Sequence, residues 1–200
     1  NQELARGDLV VVFFGTGSSG KTSLIRALLN EIIGEVGAEM GSTKTSKSYR
    51  LRLKGLERGI KLIDTPGIFE AGKAGKSRED YSKSWASRAD LMIFVVDGDL
   101  KASEFETINN AKSLGKKLIL VLNKCDLRGE KEVEKLLYLL RGRCRGNISS
   151  ANIISSSASP QSIPRPGKKP IQPQPEIEDL LILLARTLHE DGEELIADNI

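Results

Sequence analysis

Aromatic residues, histidine and cysteine are scarce in this chain of 200 residues. Phenylalanine, tyrosine and tryptophan make 4 % of it, which leaves little material for a surface that stacks nucleic-acid bases. A single histidine, His189, argues against mechanisms that need several histidines. Two cysteines, Cys125 and Cys144, are too few for a metal cluster, and they indicate a reducing compartment of the cytoplasmic type.

Long hydrophobic runs are also absent. The longest unbroken apolar runs have six residues each: Leu9–Phe14, Leu91–Val96 and Leu180–Ala185. A helix that crosses a bilayer needs about 20 apolar residues, so the sequence predicts no transmembrane helix within these residues. With 39 % hydrophobic and 28 % charged residues, the composition is that of one globular domain of ordinary size.

Charged residues are unevenly distributed, although the formal net charge is only +3. Residues 42–61 hold seven basic residues and one acidic residue, and residues 141–175 hold six basic residues and no acidic one. Residues 176–200 hold eight acidic residues and one arginine. This pattern fits solvated faces, and it also fits contact with an anionic partner such as nucleotide phosphate, RNA or a lipid surface.

Short apolar segments alternate with segments of helical periodicity, which predicts βαβ units and a mostly parallel sheet. The predicted strands are Asp8–Phe14, Tyr49–Leu53, Ile60–Asp64, Asp90–Asp97, Lys117–Asn123 and Ala151–Ser156. Only a short turn-rich stretch separates the second strand from the third, so we expect an antiparallel hairpin at the sheet edge. The predicted helices are Thr22–Ile33, Ser103–Leu114, Glu130–Leu140 and Ile177–His189.

Two stretches have the composition of surface loops. Residues 70–78 are rich in glycine, lysine and serine, and residues 159–175 hold every proline except Pro66. The second stretch is therefore predicted to be an extended surface loop. At the start of the second helix, the Ser103-x-x-Glu106 pattern predicts a capping box.

The two ends of the chain suggest a piece of a longer protein. The chain starts without methionine, and Asp191-x-x-Glu194 has the pattern of a new helix start. We expect one domain over residues 1–190. Residues 191–200 are expected to begin a helix that leads into a further region.

Residues 15–22, GTGSSGKT, fit the pattern G-x-x-x-x-G-K-[ST] between a predicted strand and a predicted helix. In this phosphate loop, glycines allow successive backbone N–H groups to converge on phosphate oxygens, and the helix N-terminus attracts negative charge. Lys21 would neutralise the terminal phosphates, and the Thr22 hydroxyl is a hard oxygen ligand for Mg²⁺. The predicted nucleotide-binding residues here are Gly15, Thr16, Gly17, Ser18, Ser19, Gly20, Lys21, Thr22 and Ser23.

Two short motifs follow the third and the sixth predicted strands. The first is DTPG, residues 64–67, where the Asp64 carboxylate can hold Mg²⁺ through water and the Gly67 N–H can meet a γ-phosphate. By itself this motif also fits a plain β-turn. The second contains Ser157 and Ala158, where a backbone N–H could reach guanine O6, although the preceding serines leave its register open by one residue.

The motif NKCD, residues 123–126, ends the fifth predicted strand. The Asp126 carboxylate could accept hydrogen bonds from guanine N1–H and from the exocyclic amino group, which adenine does not offer in this arrangement. A site built to pair two donors penalises a base that lacks them by several orders of magnitude. Lys124 would cover the base with its aliphatic stem. Asn123, Lys124 and Asp126 are therefore predicted to bind the nucleotide.

The ordered set GTGSSGKT, a threonine in GSTKT, DTPG, NKCD and SSA resembles the GTPases of the translation-factor-related class, particularly the Era/TrmE-like branch. The resemblance spans about residues 8–190. It implies the α/β P-loop GTPase fold, with a six-stranded, mostly parallel sheet, one antiparallel edge strand and helices on both faces. It also implies binding of GTP/GDP with Mg²⁺, and switch segments near residues 37–47 and 67–84.

The resemblance also implies roles for particular residues. The predicted metal ligands are Thr22, Asp64 and a first-switch threonine, Thr43 or Thr45. The predicted catalytic residues are Lys21, Thr43 and Gly67. Similarity of GST to the branch's G-T-T favours Thr43, whereas the short distance in sequence to Asp64 favours Thr45.

Two positions depart from the family's pattern, and both concern the rate of hydrolysis. Many relatives carry a water-orienting glutamine after DTPG, where this chain has Ile68. Members activated by K⁺ have Asn or Asp at the fourth position of the phosphate loop, where this chain has Ser18. We therefore expect slow GTP hydrolysis, with fast turnover only when a partner or a second copy supplies a group near residues 70–78.

Three functions are compatible with these motifs to different degrees. The first is a GTP-hydrolysing, Mg²⁺-dependent molecular switch, and the second is a nucleotide-gated interaction module with vestigial hydrolysis. The third, a P-loop ATPase or small-molecule kinase, gives NKCD no role. Partners left open are a homodimer or an activating protein at the switch segments, RNA, and a membrane contacted through a region beyond the chain.

Overall fold

The computed structural model describes residues 8–32, 39–43, 46–51, 59–65 and 84–197. The strands are β1 Leu9–Phe14, β2 Glu39–Thr43, β3 Ser46–Leu51, β4 Ile60–Asp64, β5 Leu91–Val96, β6 Lys117–Leu122, β7 Ile153–Ser155, β8 Ile163–Arg165 and β9 Lys168–Ile171. The helices are α1 Lys21–Ile32, α2 Ala102–Ser113, α3 Glu130–Arg143 and α4 Glu178–Ala197. Residues 84–88 form a further short helical segment.

The main sheet has the order β2-β3-β4-β1-β5-β6-β7. Strands β4, β1, β5, β6 and β7 are mutually parallel, whereas β3 is antiparallel to both of its neighbours. Both faces of a parallel sheet must be covered. Side chains along each central strand therefore point alternately into two hydrophobic cores, one on each face. Val11 and Phe13 pack on the side of α1 and α4, and Val12 and Phe14 pack on the side of α2 and α3.

This arrangement confirms the predicted P-loop GTPase fold and its six strands, and it adds a seventh. The predicted hairpin is present as β3 and β4, paired from Lys47–Asp64 to Leu51–Ile60. Outside it lies β2, whose residues EMGST lack apolar alternation and pair with β3 through the backbone. Because β2 occupies the edge, the antiparallel strand lies one place further in than expected.

The stretch 159–175, predicted as an extended loop, contains a second, two-stranded sheet. Strands β8 and β9 pair antiparallel around a Pro166-Gly167 turn, where Gly167 has φ +67°. A glycine adopts this left-handed conformation without the steric cost that a side chain adds. The prolines suggested a loop, yet proline is compatible with exposed edge strands, and every residue of β8 and β9 is exposed.

Two of the predicted helix-start patterns, at Ser103 and at Asp191, are wrong. Helix α2 begins at Ala102, because the Glu104 carboxylate accepts the Lys101 N–H at 2.8 Å. The capping interaction is therefore made by Glu104 and not by Glu106, and burial raises the pKa of Glu104. At the chain end, α4 runs from Glu178 to Ala197 without a break, so residues 191–194 continue a helix and do not start one.

A search of the described residues for membrane-crossing helices found none with the required length and apolar character.

Candidate functional site

The motifs predicted from the sequence meet at one edge of the sheet. The phosphate loop follows β1, Asp64 ends β4, NKCD follows β6, and Ser157–Ala158 follow β7. These strands are parallel, so their carboxyl ends share an edge. Strand β4 lies on one side of β1, and β5, which follows later in the chain, lies on the other side. In doubly wound sheets, ligands bind in the crevice at this reversal of strand order.

The phosphate loop has the backbone shape that close approach to an anion requires. Gly15 has φ +146°, and a Cβ there would lie 2.2 Å from the Val95 carbonyl oxygen. Gly20 has φ +89°, and a Cβ there would lie 2.4 Å from Asn123 Nδ2. Both positions therefore demand glycine, and the loop runs directly into α1, whose N-terminal N–H groups favour negative charge. The residues present fit a bound phosphate chain.

The Lys21 ammonium is held inside this loop. Its side chain is buried, and Nζ donates to the carbonyl oxygens of Gly15 at 3.0 Å and Thr16 at 2.6 Å. Carbonyl oxygens carry only partial charge, so these two contacts hold the ammonium in place without cancelling its charge. An incoming phosphate would meet this positive charge already in place.

Two predicted metal ligands are in contact. Thr22 Oγ1 donates to Asp64 Oδ2 at 2.6 Å, although the two residues are 42 positions apart in sequence. Asp64 is buried, and the neighbouring Thr65 is anchored by a 2.6 Å hydrogen bond from its hydroxyl to the Phe13 carbonyl. One hydroxyl and one carboxylate fit Mg²⁺, which binds few protein oxygens and completes its shell with phosphate and water.

Asn123 connects three of the motifs. Its side chain is 1 % exposed. Nδ2 donates to the Ser19 carbonyl in the phosphate loop at 2.9 Å, while Oδ1 accepts from Ser156 Oγ at 3.0 Å and from the Ala158 N–H at 3.1 Å. One buried amide thus fixes the positions of the phosphate loop, NKCD and the SSA segment relative to one another. Both Ser156 and Ala158 thus contact Asn123 Oδ1, and the residue of this segment whose N–H meets the base stays a prediction.

Replacing Asn123 with alanine should therefore damage both the fold and the site. It would leave buried polar partners unpaired, and we expect the free energy of unfolding to fall by about 2–4 kcal/mol. Asn109→Ala is the control, because Asn109 is exposed and its amide oxygen accepts from Asn147 Nδ2 on the surface at 2.7 Å. Urea denaturation measures both, and a loss below about 1 kcal/mol for Asn123→Ala would contradict this role.

A cluster of charged side chains that contacts NKCD was not predicted from the sequence. Lys124 has φ +61°, a strained backbone conformation for a side-chain-bearing residue, and its Nζ pairs with Asp97 Oδ2 at 3.2 Å. Arg128 Nη1 donates to the Lys124 carbonyl at 3.1 Å, and Nη2 donates to the Asp97 carbonyl. The guanidinium therefore ties the turn to the end of β5. Asp97 could have been noticed, since it follows a buried strand at the site's edge, whereas Arg128 belongs to no pattern.

Asp126 lies at the exposed end of this motif. Its Oδ2 accepts the backbone N–H of Gln161 at 3.1 Å, a contact between NKCD and the segment after β7. Ser157 is buried and forms a two-way backbone bridge with Glu176, both hydrogen bonds being 3.0 Å long. The predicted base-reading residues thus lie on two loops that contact each other through Asn123 and Asp126.

Several predicted residues lie outside the described part of the chain. Thr45, Gly67 and Ile68 are among them, as are residues 37, 38, 44 and 45 of the first switch segment and residues 67–83 of the second. Thr43 ends β2 and pairs through its backbone with Ser46. The choice between Thr43 and Thr45 therefore stays a prediction, as do the roles of Gly67 and Ile68.

The two thiols do not support a function that depends on a reactive cysteine. Burial raises the pKa of Cys125, whose Sγ donates to the Leu122 carbonyl at 3.2 Å. Burial also raises the pKa of Cys144 to about 11. Both groups therefore remain protonated at neutral pH, and thiolates are the reactive form.

Comparison with known proteins agrees with this geometry. The model of the family described as 50S ribosome-binding GTPase matches residues 10–124, more than half of the chain. The chain is 32 % identical over 149 residues to tRNA modification GTPase MnmE of Clostridioides difficile, covering 74 % of this chain and 32 % of that protein. It is 36 % identical over 153 residues to translation initiation factor IF-2 of Maricaulis maris, covering 72 % and 16 %. The chain thus spans about a third or less of these relatives.

Solved structures give the same result for the fold. Era, in complex with MgGDPNP and nucleotides of 16S ribosomal RNA, has a TM-score of 0.57 at 25 % identity, covering 77 % of this chain and 52 % of that chain. A nucleolar GTP-binding protein 1 of Plasmodium falciparum has a TM-score of 0.54 and covers 98 % of this chain and 94 % of its own. At 15 % identity, the second similarity concerns the fold alone.

Proposed function

Because the chain belongs to the 50S ribosome-binding GTPase family, we propose that it is a Mg²⁺-dependent molecular switch that binds GTP and GDP and hydrolyses GTP slowly. The observation that carries this proposal is the buried Asn123 amide, which joins a phosphate-binding loop to two base-reading loops. Such an arrangement supports recognition of a nucleotide at both ends, by its phosphates and by its base.

Each residue has a role in this proposal. The phosphate loop and Ser23 bind the phosphates, with Lys21 beside the terminal ones. Thr22 and Asp64 hold Mg²⁺, together with Thr43 or Thr45 from the first switch, and the bound ion would neutralise charge on the phosphates. Gly67 would donate its N–H to the γ-phosphate. In the base-reading loops, the binding residues are Asn123, Lys124, Asp126, Ser157 and Ala158.

Binding of fluorescent GDP and ADP analogues tests the first half of the proposal. A carboxylate that accepts two donors from guanine finds no such pair on adenine, so guanine nucleotides should bind about a thousand-fold more tightly or better. Equal affinity for the two nucleotides would contradict the assignment.

Removal of Mg²⁺ by a chelator should speed GDP release, because Thr22 and Asp64 would then lose the cation that they share with the phosphates.

The rate of hydrolysis tests the second half. Hydrolysis needs a water in line with the γ-phosphate and groups that stabilise the developing charge. Lys21 supplies charge, whereas Ile68 cannot orient water by hydrogen bonding and Ser18 lacks the carbonyl or carboxylate for K⁺. We expect single-turnover rates of about 10⁻⁴ to 10⁻² s⁻¹, equal in Na⁺ and K⁺. A rate near about 1 s⁻¹ at low protein concentration would contradict this, and no hydrolysis would favour the interaction module.

Partners and extent belong to the same proposal. A second copy or an activating protein would act at the switch segments, which predicts a rate that rises with protein concentration or on addition of that protein. The nucleotide-binding unit would occupy residues 1–190, and α4 continues past this boundary to Ala197. RNA and membrane contacts are secondary proposals, supported by the basic segments and by the Era complex with ribosomal RNA.

A further inference from the structure

The segment between Ser157 and Glu176 forms an arm with a closed base. At its neck, Ser157 and Glu176 exchange two backbone hydrogen bonds of 3.0 Å, and Ser157 Oγ lies 3.4 Å from Glu176 Oε2. Beyond the neck the chain passes Pro160, forms β8 and β9, and returns at Gln172. The arm lies outside the part of the chain that matches the family model, residues 10–124.

One peptide group in this arm is held from both sides. The peptide that joins Pro160 to Gln161 has its carbonyl oxygen on Pro160 and its N–H on Gln161. The carbonyl accepts from Gln172 Nε2 at 2.7 Å, and the N–H donates to Asp126 Oδ2 at 3.1 Å. Because a trans peptide directs these groups oppositely, the two hydrogen bonds together fix the plane of the peptide. The β8–β9 hairpin brings Gln172 back to Pro160, and Pro160 itself is buried.

We propose that the Pro160–Gln161 peptide positions the Asp126 carboxylate for guanine recognition, so that the arm determines how strictly the site selects its base. This inference rests on the proposed function of Asp126 as the group that reads guanine. A carboxylate has about four acceptor positions on two oxygens, so the Gln161 N–H leaves room for two donors from a base. A hydrogen bond to a charged acceptor also restricts rotation of the carboxylate.

The base dependence of affinity separates this positioning role from a merely structural one. Inosine lacks the 2-amino group of guanine, so the preference for GDP over IDP measures how well the carboxylate accepts that second donor. Damage to the phosphate loop would weaken GDP and IDP equally and leave their ratio unchanged. Misalignment of Asp126 would weaken GDP more than IDP and lower the ratio.

Gln161→Pro removes the N–H, and Gln161→Ala is its matched control because it retains the N–H. In the whole chain, Gln161→Pro should lower the preference for GDP over IDP by about three- to ten-fold, while Gln161→Ala should leave it unchanged. Competition titrations against a fluorescent GDP analogue measure the ratio. Thermal unfolding of each variant establishes that it is folded.

A second variant decides the question even if Gln161→Pro does not fold. Gln172→Met preserves the length of the side chain but removes the donor to the Pro160 carbonyl, so it frees one side of the same peptide. It should lower the GDP to IDP ratio in the same direction and by less, about two- to three-fold. Gln174→Met, two residues along the exposed return segment, is its control.

The outcomes distinguish the inference from the function on which it rests. If the unmodified chain prefers GDP to ADP and the folded variants keep its GDP to IDP ratio, the positioning role is wrong and the proposed function stands. If the unmodified chain does not prefer guanine nucleotides, the proposed function itself is wrong. A lowered ratio in Gln172→Met, with Gln174→Met unchanged, supports the role of the peptide.

Discussion

Asp126→Asn should change the preference of the site from guanine to xanthine nucleotides. Guanine offers two donors to the carboxylate, whereas xanthine has an oxygen in place of the amino group and needs a donor opposite to it. The asparagine amide supplies that donor and keeps one acceptor oxygen, which can serve either the remaining base N–H or the Gln161 N–H. We expect GDP to lose about a thousand-fold in affinity and XDP to bind more tightly than GDP.

Asp90→Asn is the matched control for this change. The Asp90 carboxylate also accepts a backbone N–H, that of Val10 at 2.7 Å, and it lies at the opposite edge of the sheet, before β5. Removing one negative charge there should leave the GDP to XDP ratio as it was. Direct titration with both nucleotides measures the ratio. Retention of GDP preference by Asp126→Asn would show that another group reads the base.

The fold was largely predictable from hydrophobic pattern and turn residues. Buried strands such as β1 and β6 are largely apolar runs followed by motif residues, and a parallel sheet then brings their ends together. The two-stranded arm was not predicted, because exposed strands bury no apolar face and leave no periodic signal. The Pro166-Gly167 dipeptide was its only local cue.

The residues of the candidate site also differ in how far the sequence predicted them. Residues proposed to bind the nucleotide, such as Lys21 and Asn123, belong to motifs in which a particular atom is needed at a particular spacing. Of the residues that hold those motifs in place, Gln161 acts through its backbone N–H, which every residue except proline possesses, and Arg128 acts through its guanidinium on backbone carbonyl groups. A backbone group takes part in each of these contacts and belongs to no sequence motif, so only the three-dimensional arrangement reveals them.

Lys21→Met should remove GTP hydrolysis while preserving the fold. The Lys21 ammonium is buried, and it donates to the carbonyl oxygens of Gly15 and Thr16, which carry only partial charge. With nucleotide bound, its charge would face the terminal phosphates, where negative charge develops as the bond to the γ-phosphorus breaks. Loss of such a group costs about a hundred- to a thousand-fold in rate, which from a slow starting rate means no measurable hydrolysis.

Stability should respond differently from activity in this variant. Methionine preserves the aliphatic stem and removes a buried charge, and the desolvation that the charge required is then no longer needed. The Thr16 carbonyl still accepts from the Ser19 N–H and the Ser19 hydroxyl after this change. The free energy of unfolding should therefore change by no more than about 1 kcal/mol.

Lys116→Met tests whether any lysine bound to a backbone carbonyl would give the same result. Lys116 Nζ donates to the Ala89 carbonyl at 3.0 Å, before β6 and away from the nucleotide site. It should lose little stability and no hydrolysis. Single-turnover hydrolysis and urea denaturation of both variants separate the two effects. If Lys21→Met retained the hydrolysis rate of the unmodified chain, the ammonium would not act on the phosphates. Its burial beside the loop would then have only a structural role.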